Sequence, residues 1–352
     1  MRNARRARLL TVAVTVLLLL LLAACEQDAD DETEAEPDDD TEEAEAEADA
    51  DADDYPTDTV EFTVPFAPGG GADNAQRVFN PYAEEIIGQD ITVLNREGAG
   101  GTIGWAEVLE EEPDGYSMTI GAVPFNTLPV LLNPEDVDYE LDDFTYACVW
   151  AVVPDVVYVD ADSEWETLDD LLDDARERPG ELLAGNTGAA GTDALATLML
   201  EEEAGVEFEQ VSFEGDAESL QAVQAGTIDV MFTGSSHVFA FEDELRPLAI
   251  ATEERHEVFP DIPSMHELGY EVESARYRSV AGSADLPDHV IEYWEDVCEQ
   301  VVDDEDFRDD MLDQAQPPQF LNHEEAMEEI NNLSDRYRDI IEEHGIEDED
   351  EG

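Results

Sequence analysis

The chain has 352 residues, enough for one large domain or two lobes, and its 42% hydrophobic content can fill a substantial core. Asp and Glu number 93 against 15 basic residues, a formal net charge of -78, and every basic residue is Arg. That balance excludes nucleic-acid binding, which needs a basic patch to neutralise phosphates.

The acidic residues run through every segment and are not gathered at metal-ligand spacing. A cation store would gather them. A surface adapted to a very salty medium would spread them, because the Debye length falls to about 3 Å at 1 M salt and self-repulsion is screened. The halophilic reading is the one adopted.

At the N-terminus, Met1 to Arg8 carries four arginines, and Leu9 to Ala24 is apolar apart from Thr11 and Thr15. A run of about 16 residues is shorter than the roughly 20 that a spanning helix needs, and its flanks are those of an export signal. The run closes on Leu22-Ala23-Ala24-Cys25, which resembles the bacterial lipobox, where the Cys is lipidated and becomes the mature first residue. Residues 1–25 are expected to be a lipoprotein signal peptide with Cys25 as the lipid anchor. That puts the protein outside the cytoplasm, on the outer face of the cell membrane. Residues 26–56, almost all Asp, Glu, Ala and Thr as far as Asp54, cannot bury apolar surface and are expected to form a disordered acidic tether.

From Thr57 strand and helix patterns alternate. Val60 to Phe66 reads as a strand, Asn74 to Ile87 as an amphipathic helix kinked or ended at Pro81, Asp90 to Leu94 as a strand and Gly104 to Glu112 as a helix. Strands are expected at Tyr116 to Ala122 and Val152 to Val159, and a helix at Leu168 to Arg178. A short strand from Glu181 leads to the helix Asp193 to Glu203. Ser219 to Ala225 reads as a helix, Ile228 to Phe232 and Leu245 to Thr252 as strands, and the chain from Asp288 as mostly helical. The alternation predicts a doubly wound, largely parallel α/β fold, in which ligands bind at loops leading from strand ends into helices.

Three such loops are rich in glycine. The first, Pro65 to Asp73, has Gly69, Gly70 and Gly71 in succession, which lets backbone N–H groups turn inward at a helix N-terminus, a site for an anionic oxygen. Asp73 is expected to cap that helix. The second, Asn95 to Gly104, misses the dinucleotide-binding spacing by one residue. The third, Gly185 to Asp193, repeats the logic of the first, with Asp193 as the cap. Two loops of this kind can clamp one carboxylate by N–H groups and hydroxyls without any lysine.

Cys148 and Cys298 could form a disulfide; each also sits where a lone Cys acts as a small hydrophobe, and two free buried thiols is the reading favoured. No zinc spacing is present. A hydrolase would need a nucleophile and a base. Ser235, Ser236 and His237 are adjacent, but no Gly-x-Ser-x-Gly elbow exists, so an enzyme is not expected, nor a cofactor or metal.

Val64 to Asp73, Asn95 to Gly104 and Pro113 to Tyr116 occur in the order found in one family. With them go Thr187-Gly188, Gly191-Thr192-Asp193, Gly226 to Val230, Leu245 to Ala249 and Phe259 to Ser264. Over Tyr55 to Ile341 the chain resembles the substrate-binding proteins of tripartite tricarboxylate transporters. The resemblance implies two α/β lobes joined by crossing strands, closing on ligand like a Venus flytrap: lobe 1 over 57–155 and 278–352, lobe 2 over 156–277. It implies a small carboxylate ligand and transporter membrane subunits as partners, with the receptor a monomer. It places Phe66, Gly69, Gly70, Gly71 and Asp73 on one jaw, and Thr187, Gly188, Ala189, Thr192 and Asp193 on the other. Pro124 and Thr233 stand at further strand ends. The family often has His where this chain has Ala194, and Gly234 to His237 also departs from it, which leaves the choice of carboxylate open. A receptor reporting to a membrane sensor would show the same sequence.

Overall fold

The computed structural model describes residues 55–346, apart from 187–190, 214–215, 239–240 and 242; for 216 and 217 it describes the backbone alone. The expected signal peptide, Cys25 and the tether as far as Asp54 lie outside the described residues. Tyr55 is already packed: its hydroxyl donates to the Gly115 carbonyl at 2.6 Å and accepts from Trp294 Nε1 at 2.8 Å.

The alternating apolar residues of β1 (Val60–Val64) are fully buried, and β1 pairs in parallel with β2 (Ile91–Asn95) and β3 (Ser117–Gly121). Helix α1 (Gly71–Ile87) covers this wing through Ala75, Phe79 and Ala83, a stripe with helical spacing. It begins earlier than expected and runs straight through Pro81. Pro81 and Arg77, whose carbonyl loses its partner there, both lie on the exposed face, where water can serve that oxygen. Gly88 ends the helix with φ 70°. Helices α2 (Thr102–Leu109) and α3 (Leu128–Leu132) follow β2 and β3.

The sheet is parallel in its wings and antiparallel where they meet, not largely parallel as expected. Strand β4 (Phe144–Asp160) starts eight residues before its predicted first residue, Val152. Its first part pairs antiparallel with a strand over Ala275–Ser283 that the sequence did not announce, from Phe144↔Ser283 to Pro154↔Ala275. At Asp155 it changes partners. In the second wing, helix α4 (Leu168–Glu177) opens with a Thr167–Asp170 capping box. Strand β5 (Leu183–Asn186), helix α5 (Thr192–Ala204), strand β6 (Glu209–Ser212), helix α6 (Asp216–Gln224), strand β7 (Val230–Gly234) and strand β8 (Leu245–Ile250) follow. The unannounced strand is β9 (Ala275–Ser283). Helices α7 (Asp288–Asp303) and α8 (Glu305–Leu312), strand β10 (Pro318–Leu321) and helix α9 (His323–His344) complete the fold. The sheet order is β2-β1-β3-β9-β4-β7-β5-β6, with β8 and β10 also paired to β4.

Each wing has its own core. One gathers Phe62, Phe79, Trp150 and Trp294, with Phe79 stacked on Trp150 at 4.9 Å and Phe62 edge-on to Trp294 at 5.2 Å. The other gathers Val157, Leu171, Leu172, Leu200 and Phe232. Burying side chains of this size contributes about 1.5–3 kcal/mol apiece. The result is a two-lobe, flytrap-like α/β architecture in which β4 and β9 pass between the lobes. Cys148 and Cys298 are joined by a disulfide with their Cα atoms 6.5 Å apart, which corrects the expectation of free thiols. Strand β4 and helix α7 bring them face to face in the first core, a proximity that spacing in the sequence cannot show. Among the described residues no helix is long and apolar enough to cross a membrane.

Candidate functional site

The first glycine loop is held in shape from beneath. Gly69 adopts φ +84°, a conformation that favours glycine, and its N–H donates to Asp73 Oδ2 at 2.8 Å. The same oxygen accepts from Arg77 Nε at 2.9 Å, and Asp73 Oδ1 accepts from Asn95 Nδ2 at 2.9 Å. Asn95 Nδ2 also donates to the Phe66 carbonyl at 3.0 Å. Asp73 is thus a brace. The helix is capped at Gly70 without a side-chain bond, so the expected Asp73 cap is not formed. Burial alone would push the Asp73 carboxyl up; the bonds from Arg77, Gly69 and Asn95, with the Arg77 charge, outweigh it and hold the group below the usual carboxylate range.

The second glycine loop serves the first. At Gly104 a Cβ would stand 2.7 Å from the Arg96 carbonyl oxygen and 2.9 Å from Pro65 Cβ, so helix α2 approaches the first loop as only glycine allows. Phe66, half-buried, meets Trp105 and Phe125 edge-on at 5.6 and 5.8 Å.

Of the third loop, Thr187, Gly188 and Ala189 lie outside the described residues. Gly191 caps helix α5, again with no side-chain bond, so Asp193 is not the expected cap either. Asp193 is buried in the first turn, where Oδ1 accepts from the Ala194 N–H at 3.1 Å. Glycine stands at both cap positions and adds no side chain over the N-terminal N–H groups.

Both helix starts converge on β9. Arg276 Nη2 lies 3.5 Å from Thr192 Oγ1 at the start of α5. Arg278 Nη2 lies 3.9 Å from where a Cβ of Gly71 would stand, at the start of α1. Gln316 Nε2 donates to the Gly71 carbonyl at 3.4 Å. Pro124 follows the Val123 carbonyl, which accepts from the Tyr277 N–H between the two arginines at 2.8 Å. Thr233 is fully buried with no partner for its hydroxyl among the described residues, and its neighbour Gly234 lies against Arg276, whose Nη1 is 2.5 Å from the place of a Gly234 Cβ. Gly71, Thr192, Pro124 and Thr233 are therefore gathered around β9, with Phe66, Gly69 and Gly70 in the loop that leads there. The Asp73 carboxylate is spent on support.

Sequence reasoning missed the two arginines. Arg276 and Arg278 are 6% exposed each, and alternation puts both side chains on one face of β9. Arg276 Nη1 pairs with Asp155 at 2.8 Å, and Asp155 also accepts from Ser274 Oγ at 2.6 Å. Burial and the Arg276 charge pull the Arg278 guanidinium down to about 10, with Asp155 acting the other way. The signal available was Arg-Tyr-Arg in a chain that has no lysine and few arginines after residue 8. Ser235, one of the adjacent Ser-Ser-His residues, is buried and donates to the Ala315 carbonyl at 3.1 Å.

The family described as tripartite tricarboxylate transporter family receptor matches residues 75–346. A UPF0065 protein from the tcbD-tcbE intergenic region of Pseudomonas sp. strain P51 is 31% identical over 225 residues, covering 62% of this chain and 66% of that protein, just under two thirds of its length. Among solved structures, a Rhodopseudomonas palustris protein with adipate superposes with TM-score 0.71 at 24% identity, covering 84% of this chain and 99% of the other. MatC from the same organism, with bound malate, gives TM-score 0.67 at 22% identity over 82% of this chain and all of the other. At these identities the two structures establish the fold.

Proposed function

The chain belongs to the tripartite tricarboxylate transporter receptor family, and from that premise we propose that it is an extracytoplasmic receptor that captures a small carboxylate and hands it to a membrane permease. The observation that carries this reading is the meeting of two helix N-termini, at Gly71 and Thr192, with the buried arginines of one strand. Helix N-termini offer unpaired N–H groups and a partial positive charge, and a guanidinium matches a carboxylate in shape and charge. The adipate and malate of the two structural neighbours are ligands of the same class. In this reading lobe 1 spans 57–155 and 278–352, lobe 2 spans 156–277, and the lobes close over the ligand. Cys25 tethers the receptor by lipid to the outer face of the membrane, and the acidic surface suits a very salty medium.

A thermal-shift screen of the full-length protein in detergent and molar NaCl tests this against malate, adipate, citrate, benzoate and neutral solutes. A ligand at 100 times its dissociation constant adds about 2.7 kcal/mol, a shift of roughly 4 °C for a unit of about 290 residues. A carboxylate hit supports the reading. Silence toward every carboxylate from a cooperatively unfolding protein overturns it.

A further inference from the structure

The two buried arginines differ in one respect. Arg276 has its counter-charge in Asp155 at 2.8 Å. Among the described residues Arg278 has no carboxylate in contact: its Nε lacks a partner, and Nη1 makes one long bond, 3.4 Å, to the carbonyl of its own neighbour Tyr277. This occurs in a chain with 93 acidic residues, where Arg77, Arg96, Arg178, Arg255 and Arg276 each reach a carboxylate. A buried guanidinium left without an anion destabilises a fold. Arg278 is nevertheless held 94% buried, since it is 6% exposed, with its free end beside Gly71, the first residue of α1. Gln316, whose Nε2 donates to the Gly71 carbonyl at 3.4 Å, also has no partner for its Oε1 among the described residues. The protein's own carboxylates are kept from this point: Asp155 is taken by Arg276 and Ser274, and Asp73 by the first loop.

We infer that Arg278 is the specificity-determining charge of the site, and that the ligand itself supplies the missing carboxylate at the start of α1. The inference rests on the carboxylate-receptor reading and sharpens it. Backbone N–H groups hold a carboxylate and a neutral amide oxygen alike, whereas an unpaired buried guanidinium selects the anion. Carboxylic acids are bound in ionised form and their primary amides are rejected. With the ligand in place Arg278 gains a planar, two-oxygen partner; without it the residue weakens the empty receptor.

The test uses the full-length protein in molar NaCl, with malate, adipate, citrate and benzoate as probes beside malamide, adipamide and benzamide. For whichever acid binds, the wild type should prefer it to its amide by at least 100-fold. Arg278→Gln should lose at least 100-fold in affinity for that acid, and its ligand-free melting temperature should equal or exceed that of the wild type. Arg278→Lys, which keeps the charge without the fork, should bind between the two. Equal binding of acid and amide by the wild type overturns the inference, as does an Arg278→Gln protein that binds within threefold of the wild type. If Arg278→Gln fails to fold, Arg278 is needed for the fold, and the inference is overturned on the empty-state argument. If the wild type binds no carboxylate at all, the receptor reading itself falls, which separates that failure from this one.

Discussion

Removing the charge of Asp155 should expose how much stability the crossing strands owe to one ion pair. Asp155 has no solvent exposure, sits where β4 changes partners, forms an ion pair with Arg276 at 2.8 Å and accepts from Ser274 Oγ at 2.6 Å. Asp155→Asn keeps the shape and the hydrogen-bonding oxygen but leaves Arg276 buried without its counter-charge. Removing one partner of a buried pair typically costs about 3–5 kcal/mol. A Coulomb energy of about 4 kcal/mol, for charges roughly 4 Å apart at an effective dielectric of about 20, agrees with that range. With an unfolding entropy of about 2.1 cal/mol/K per residue over roughly 290 residues, each kcal/mol shifts the midpoint by about 1.6 °C. Scanning calorimetry in molar NaCl should therefore show a fall of roughly 5–8 °C. Adding Arg276→Met to the variant removes the stranded charge and should recover most of the loss, because the cost of breaking a buried pair lies mainly in the charge left uncompensated. A fall under about 2 °C, or no recovery in the double variant, would refute the reasoning.

Three further expectations concern charge, salt and sulfur. Because the folded Asp73 carboxyl is held below its unfolded value, it stabilises the protein above the ordinary Asp pKa of about 3.9, and that contribution is lost as the pH falls through the folded value. Asp73→Asn should melt below the wild type at pH 7, with the gap closing under about pH 4; a gap that stays constant from pH 7 to 2 would assign the loss to shape instead of charge. With a net charge of -78, cooperative thermal unfolding should be kept in molar NaCl and lost below a few hundred millimolar as screening fades. Full cooperativity in dilute buffer would contradict the halophilic reading. Peptide mapping without reductant should recover Cys148 and Cys298 as one linked pair, and alkylation of either thiol in the unreduced, unfolded chain would show the bond to be absent.

The elements that patterning disclosed are those whose two faces differ. Strand β1 alternates, helix α4 carries a capping box and an apolar stripe, and the first glycine loop lies between a strand and a helix. Strand β9 was hidden because it turns Arg276 and Arg278 inward, so its face toward the site reads as surface. The first part of β4, Phe144 to Ala151, is buried on both faces and has no alternation to find. The glycine loops marked where a ligand is expected, but the charges facing them lie more than eighty residues along the chain from Thr192, and only the sheet brings them together. The caps misled for a local reason: Asp73 and Asp193 stand in the first turn, where an acidic residue can serve a helix without capping it.

The bonds that tie Asn95 to Phe66 and Asp73 couple the second glycine loop to the shape of the first, and under the proposed function they would give it a part in selectivity that proximity would not suggest. A substitution between Arg96 and Gly101 can tilt Asn95, and with it the N–H groups of the first loop, while leaving every candidate contact residue unchanged. Directed evolution of this receptor toward a new acid should therefore collect adaptive mutations in the second loop as well as in the first. Libraries confined to residues that line the binding cleft would miss them.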